Sequence, residues 1–133
     1  MDIIQYDKLI LTTILAAKRA GEAILDVYKS DFAVEQKDDK SPLTLADKRS
    51  NEIIENVLEQ TVTVNNSTVP ILSEEGKEIS YEDRKKWEHF WLVDPLDGTK
   101  EFVKRNGEFT VNIALIHKHK PVLGIIYIPV KDV

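Results

Sequence analysis

The stretch Phe90-Trp91-Leu92-Val93-Asp94-Pro95-Leu96-Asp97-Gly98-Thr99 constrains this chain more than any other. Its first four residues form an apolar run of buried-strand length, and that strand delivers two carboxylates across a proline. Carboxylates so placed repel, and partial desolvation raises the cost of ionising both unless a cation lies between them. Pro95 fixes the chain direction, Leu96 can offer its carbonyl, and Gly98 lets backbone approach a bound group with no Cβ in the way. Thr99 supplies a hydroxyl. A short helix starting after Gly98 would aim its first amides and the positive end of its dipole at a phosphate. Asp-Pro and Asp-Gly are also common turn dipeptides, so taken alone the stretch reads more readily as a plain turn.

Two other acidic stretches change that balance. Val69-Pro70-Ile71-Leu72 reads as a short strand entering Ser73-Glu74-Glu75-Gly76, and Asp47 stands near the start of a helix. Glu74 and Glu75 are open to reading as a solvated turn and Asp47 as a helix cap. Three separate acidic stretches aimed at one place would make a site for a hard cation.

The rest of the chain sets the architecture. From Asp7 to about Ser30, Ile10, Ile14, Ala17, Gly21, Ile24 and Tyr28 form one helical stripe, with Lys18, Arg19 and Glu22 off it. Phe32 to Gln36 suggests a short strand and Lys37 to Pro42 a loop. A second helix is expected near Thr44, with Thr44 and Asp47 as a capping box, and Ala46, Ile53, Ile54, Val57 and Leu58 on one face. Thr61 to Thr68 is a polar connector, and Lys77 to Glu88 a solvated turn plus a short helix. Phe109 to His117 and Val122 to Ile128 form a hairpin around Lys118-His119-Lys120-Pro121. The fold class is α+β, two long helices layered on one face of a mostly antiparallel sheet.

Composition narrows the chemistry. Eighteen Lys and Arg against 23 Asp and Glu give a net charge of −5, which argues against wrapping a nucleic acid polymer but leaves a nucleotide-sized substrate open. There is no cysteine, so no thiolate nucleophile and no soft-metal site. His89, His117 and His119 show no metal-ligand spacing and are assigned surface or packing roles, and Trp87, Trp91, Phe102 and Phe109 are assigned to packing. No basic, apolar leader opens the sequence, and Val122 to Val130 is far short of the about 20 residues needed to cross a bilayer. The expected location is the cytoplasm, or peripheral to the inner face of the membrane. The final residues follow a strand-like run with no polar tail and suggest a chain cut from a longer one.

Asp47, the Ser73-Glu74-Glu75 step and Trp91 to Thr99 together resemble the signature of the lithium-sensitive, magnesium-dependent phosphatases of the inositol monophosphatase superfamily. Lys100-Glu101-Phe102, Lys104 to Leu115 and Ser41 to Asp47 are similar to its bacterial 3'(2'),5'-bisphosphate nucleotidase branch. The resemblance runs over nearly the whole chain. It implies the N-terminal half of a sugar-phosphatase or inositol-monophosphatase-like fold, with residues 1–133 as a metal-binding domain and a C-terminal domain missing.

It also implies roles. Glu74, Asp94 and the Leu96 carbonyl would hold one Mg²⁺, and Asp94 and Asp97 would share in a second, of two or three in the full-length enzyme. The Gly98 and Thr99 amides would bind the scissile phosphate, and the Thr99 hydroxyl, aligned with Asp47, would orient and help deprotonate the attacking water. Glu74 has a catalytic part as well as a ligand's. Glu74, Leu96, Asp97, Gly98, Thr99 and Lys100 would line the substrate, and Lys100, Lys104 and Arg105 could attract a second phosphate. The implied reaction removes the 3'-phosphate of 3'-phosphoadenosine 5'-phosphate in sulfur assimilation. An inositol or sugar phosphatase is the alternative within the same chemistry, and a non-catalytic cation-binding fragment the alternative outside it. A further metal-binding Asp and most of the nucleoside pocket would come from the missing domain, leaving this site incomplete and an apolar sheet edge open to self-association.

Overall fold

The computed structural model describes residues 3–29, 42–61, 63–64, 67–76 and 78–133. The expected strand at Phe32 to Gln36 and the loop at Lys37 to Ser41 lie outside them. In chain order the elements are α1 (Ile3–Tyr28), α2 (Pro42–Thr61), β1 (Thr63–Val64), β2 (Ser67–Thr68), β3 (Ile71–Ser73), α3 (Tyr81–Arg84), β4 (His89–Asp97), α4 (Thr99–Lys104), β5 (Thr110–His117) and β6 (Lys120–Tyr127).

Four strands form one sheet in the order β3-β4-β5-β6, with β3 parallel to β4 and the other pairs antiparallel. Strands β1 and β2 make a separate antiparallel ribbon inside the connector after α2. Helices α1 and α2 pack on each other, α2 against β4 and α1 against β5 and β6. The layered α+β architecture is therefore the one the hydrophobic patterns imply. Among the described residues no helix is long and apolar enough to cross a membrane.

The core lies between the helices and one sheet face. Trp91, Val93, Val111, Ile113 and Leu115 are buried there with Ala16, Ala20, Ile24, Ala46, Ile54 and Leu58. Of the expected stripe on α1, Ala17, Gly21 and Ile24 are buried and Tyr28 packs against the core, while Ile10 and Ile14 stand half-exposed; the buried face is wider than that stripe and also takes in Leu9, Thr13, Ala16, Ala20 and Val27. At Gly21 a Cβ would come within 2.6 Å of the Tyr127 ring, so no larger residue fits without a shift.

Two further expectations are corrected. Helix α2 opens at Pro42, where a missing N–H costs nothing, so Thr44 and Asp47 lie inside the helix and do not form its capping box. Strand β4 does not stop at Val93. Its pairing with β5 resumes at Asp97↔Thr110 after a register shift between Asp94 and Asp97, so both aspartates are strand residues flanking an irregular step. A proline is tolerated at such a step because it needs no ladder hydrogen bond.

The hairpin between β5 and β6 turns on Lys118 and His119, both at positive φ (50° and 67°), the backbone that matches the twist of the flanking strands. The sheet face away from the helices is uncovered. Leu92, Ala114 and Gly124 form a row across β4, β5 and β6, and beside it Ile126 is 71% exposed.

Candidate metal and phosphate site

Helix α2 brings three polar side chains to the junction with the sheet. Asp47, Ser50 and Asn51 are spaced so that they share one face, and all are buried. The Ser50 hydroxyl donates to the Pro95 carbonyl at 2.8 Å, inside the irregular step of β4. Asn51 Oδ1 accepts from the Ser73 hydroxyl at 2.5 Å, and Ser73 Oγ in turn accepts the Glu75 N–H at 3.3 Å. The helix that carries Asp47 is thus fastened to both strands that carry the other acids.

Parallel pairing of β3 with β4 places Ser73 level with Val93, and the Glu74 N–H donates to the Val93 carbonyl at 3.3 Å. Glu74 consequently leaves β3 beside Asp94. Asp97, exposed at the end of β4, accepts from Asn112 Nδ2 at 3.1 Å.

The electrostatics report this convergence. The pKa of Asp47 is pushed up from 3.8 to about 7 by burial first, then by the charges of Glu75, Asp94 and Glu74. That of Asp94 is pushed up to about 6 by burial, then by Glu74 and Asp97, with a hydrogen bond from the Leu96 backbone opposing and Glu75 adding to the rise. Asp47, Asp94 and the Glu74–Glu75 pair are thus near enough to raise the cost of one another's ionisation when no counter-charge is present.

Among the described residues, no three acidic or imidazole groups meet closely enough to enclose an ion by side chains alone. The resemblance implies two donor sets sharing Asp94, one with Glu74 and the Leu96 carbonyl and one with Asp97, and the described residues do not gather Glu74, Asp94 and Asp97 into such a group. All their donors are oxygen, which suits Mg²⁺.

Gly98 precedes α4 in the left-handed region (φ 89°, ψ 52°), and no side chain caps that helix start. A Cβ on Gly98 would lie 3.3 Å from Phe109 Cα, so a side chain there is strained by the backbone conformation and crowded by its neighbour. Phe102 and Phe109 pack with Tyr28 in a three-ring cluster, centroids 4.9 to 5.5 Å apart, which holds α4 against the end of α1. Thr99 and Lys100 are exposed beside the acids. Arg105 is exposed, and its guanidinium donates to the Tyr28 carbonyl at 2.8 Å, which ties the end of α4 to α1.

His89 and His117 stack at the far end of the sheet with centroids 3.9 Å apart, in keeping with a packing role. Sequence reasoning alone does not single out Ser50, Asn51 and Asn112. A signal for them exists: Ser50 and Asn51 lie three and four residues after Asp47, and Asn112 interrupts an otherwise apolar strand.

The sequence profile of the inositol monophosphatase family matches residues 5–133. This chain belongs to that family. Among curated inositol monophosphatase relatives, it is 51% identical over 119 residues to the 3'(2'),5'-bisphosphate nucleotidase CysQ of Salmonella typhimurium, covering 88% of this chain and 46% of that protein. The Haemophilus influenzae protein of the same name is 39% identical over 124 residues, covering 93% of this chain and 45% of that one. The chain thus spans about half the length of the curated relatives it matches.

Among solved structures, CysQ from Bacteroides thetaiotaomicron, a bacterial member of the inositol monophosphatase family, aligns with a TM-score of 0.82 at 50% identity, covering 92% of this chain and 43% of that one. The extragenic suppressor protein suhB from Bartonella henselae aligns with a TM-score of 0.71 at 32% identity, covering 93% of this chain and 45% of that one.

Proposed function

We propose that residues 1–133 are the metal-binding N-terminal domain of a Mg²⁺-dependent phosphomonoesterase that removes the 3'-phosphate of 3'-phosphoadenosine 5'-phosphate, yielding AMP and phosphate in sulfur assimilation. A C-terminal domain would supply the remaining metal ligand and the nucleoside pocket. The uncovered apolar sheet face and the half-length match to the relatives support that division. The observation that carries the reading is geometric: the Ser50–Pro95, Asn51–Ser73 and Glu74–Val93 hydrogen bonds gather the segments bearing Asp47, Glu74 and Asp94 at one junction of helix and sheet. The substrate is argued from the nucleotidase relatives at 51% identity.

In this reading Glu74, Asp94 and the Leu96 carbonyl would hold one Mg²⁺, and Asp94 and Asp97 would share in a second. Mg²⁺ held there would supply a more acidic water and positive charge for the developing anion. The protein's own groups do the rest. The Gly98 and Thr99 amides orient the phosphate, and Lys100 adds positive charge beside it. The Thr99 hydroxyl would pass a proton from the attacking water towards Asp47, which would act as the general base. The water oxygen bonds to phosphorus as the bond to the 3'-oxygen breaks, and the leaving oxygen acquires a proton.

The test is phosphate release by the full-length protein from the adenosine bisphosphate, an inositol monophosphate and fructose bisphosphate. The expected result is Mg²⁺-dependent preference for the first, lost in Asp94→Ala and Asp47→Asn. Preference for either other ester overturns the substrate, and activity untouched by both substitutions overturns the site.

A further inference from the structure

Asn112 occupies the middle of the sheet, on β5 between β4 and β6, where asparagine is a poor strand former. Its neighbours on the same uncovered face of β5, Ala114 and Ile116, are apolar. Across the ladder it faces Asp94 on one side and Ile126 on the other. An amide in that row needs polar partners, and the two it has are informative. Its Nδ2 donates to Asp97 Oδ2 at 3.1 Å, and its Oδ1 accepts from the Thr110 hydroxyl at 2.9 Å. Thr110 is itself the ladder partner of Asp97.

The chain Thr110 to Asn112 to Asp97 therefore closes over the irregular step of β4. Asp97 is exposed, and an exposed aspartate with no partner would sample several rotamers. Holding one oxygen leaves the other free to bind, and a neutral amide does this without cancelling the charge that attracts a cation. A lysine or arginine would cancel it, and a further carboxylate would add to the repulsion already felt by Asp94.

We propose that Asn112, itself oriented by Thr110, is the positioning residue that pre-sets the Asp97 carboxylate for cation capture. The inference rests on the proposed metal role of Asp94 and Asp97 and adds a residue to it. Loss of an outer partner of a metal ligand costs roughly 10- to 100-fold in metal affinity, and for one hydrogen bond at a half-open site the lower end applies.

The test is direct Mn²⁺ binding, read by the loss of free-ion electron paramagnetic resonance signal, to the full-length protein and its Asn112→Ala, Asn112→Leu, Thr110→Val and Asp94→Ala variants. Melting temperatures are taken in chelator alongside. Asn112→Ala and the shape-preserving Asn112→Leu are expected to bind about 10-fold more weakly with unchanged melting temperature, and Thr110→Val more weakly by a smaller factor. Wild-type affinity in Asn112→Leu overturns the proposal, as does a loss of affinity matched by a fall in melting temperature in all three. Undiminished binding by Asp94→Ala, or no binding by the wild type, overturns the metal site and the positioning role together. Loss at Asp94→Ala with none at Asn112 overturns the positioning role alone.

Discussion

The Ser50 hydroxyl donates to the Pro95 carbonyl at 2.8 Å, joining helix α2 to the step of β4 where pairing with β5 lapses. Ser50 and Pro95 are both fully buried, so neither group has water to fall back on. Ser50→Ala should leave the carbonyl unsatisfied and lower stability by about 1–3 kcal/mol. Chemical denaturation of the wild type and the variant measures this. A difference under a few tenths of a kcal/mol would mean that the step holds its shape unaided.

The carboxyl groups set a pH dependence with a definite sign. Asp47 at about 7 and Asp94 at about 6 both stand above the ordinary 3.8. The folded protein keeps protons that the unfolded chain releases, so the contribution is full below the unfolded value and is lost as pH rises to about 7. Metal-free protein should gain on the order of 1–2 kcal/mol between pH 8 and pH 5 from these groups, after allowing for solvent screening. Comparing the wild type with an Asp47→Asn, Asp94→Asn double variant isolates the effect, because the variant should lack that slope. Mg²⁺ at pH 8 should raise the wild-type melting temperature and leave that of the double variant nearly unchanged.

The helices and the sheet were legible because each buries one face, and a buried face imposes a period on the sequence. The limit lay in extent. In α1 the stripe holds at Ala17, Gly21 and Ile24, but Ile10 and Ile14 near the helix start are half-exposed and Leu9, Thr13, Ala16 and Ala20 are buried beside it. The acids were legible in type but not in setting. Asp94 and Asp97 suggested a turn because Asp-Pro and Asp-Gly usually make one, whereas pairing with Thr110 carries the strand past the proline. The supports, Ser50, Asn51 and Asn112, act on residues up to 45 positions away, and no local pattern encodes such a partner.

Gly98 gives a sharper test of the phosphate-binding turn. Its φ of 89° and the 3.3 Å that would separate an added Cβ from Phe109 Cα put alanine there under backbone strain and in a tight contact. Gly98→Ala should cost roughly 1–2 kcal/mol, since an L-residue pays about that to enter the left-handed region. In the full-length protein it should also cut turnover far more than that loss of stability would explain, because the start of α4 must shift. Activity within a factor of two of wild type would separate this turn from the chemistry.

The uncovered sheet face predicts a solution property of the 133-residue chain. Leu92 and Ile126 are 45% and 71% exposed on either side of a shallow depression of about 520 Å³. Exposed contiguous apolar surface binds hydrophobic dyes and favours association. Sedimentation velocity should show reversible self-association, and dye fluorescence should fall in a Leu92→Lys, Ile126→Lys variant that remains monomeric. A wild-type chain that stays monomeric and dye-silent at high concentration would show that the face is too broken by Gly124 and Asn112 to act as a patch.

His89 and His117 stack across β4 and β5 with rings 3.9 Å apart and 6° from parallel. The pKa of His89 is lowered from 6.5 by burial first and by the charge of His117 second, with Glu88 opposing. Only one ring of such a pair can be charged without repulsion, so folding disfavours protonation of His89. Its contribution to stability is intact above 6.5 and falls away as pH drops through the folded value, opposite in sign to that of the aspartates. In a nuclear magnetic resonance titration the ring protons of His89 should therefore move at a pH below 6.5. His117→Gln should bring that midpoint part of the way back and no further, because burial is the larger cause and remains. A midpoint unaffected by the substitution would leave burial as the whole explanation, and full recovery would make the neighbouring charge the dominant one.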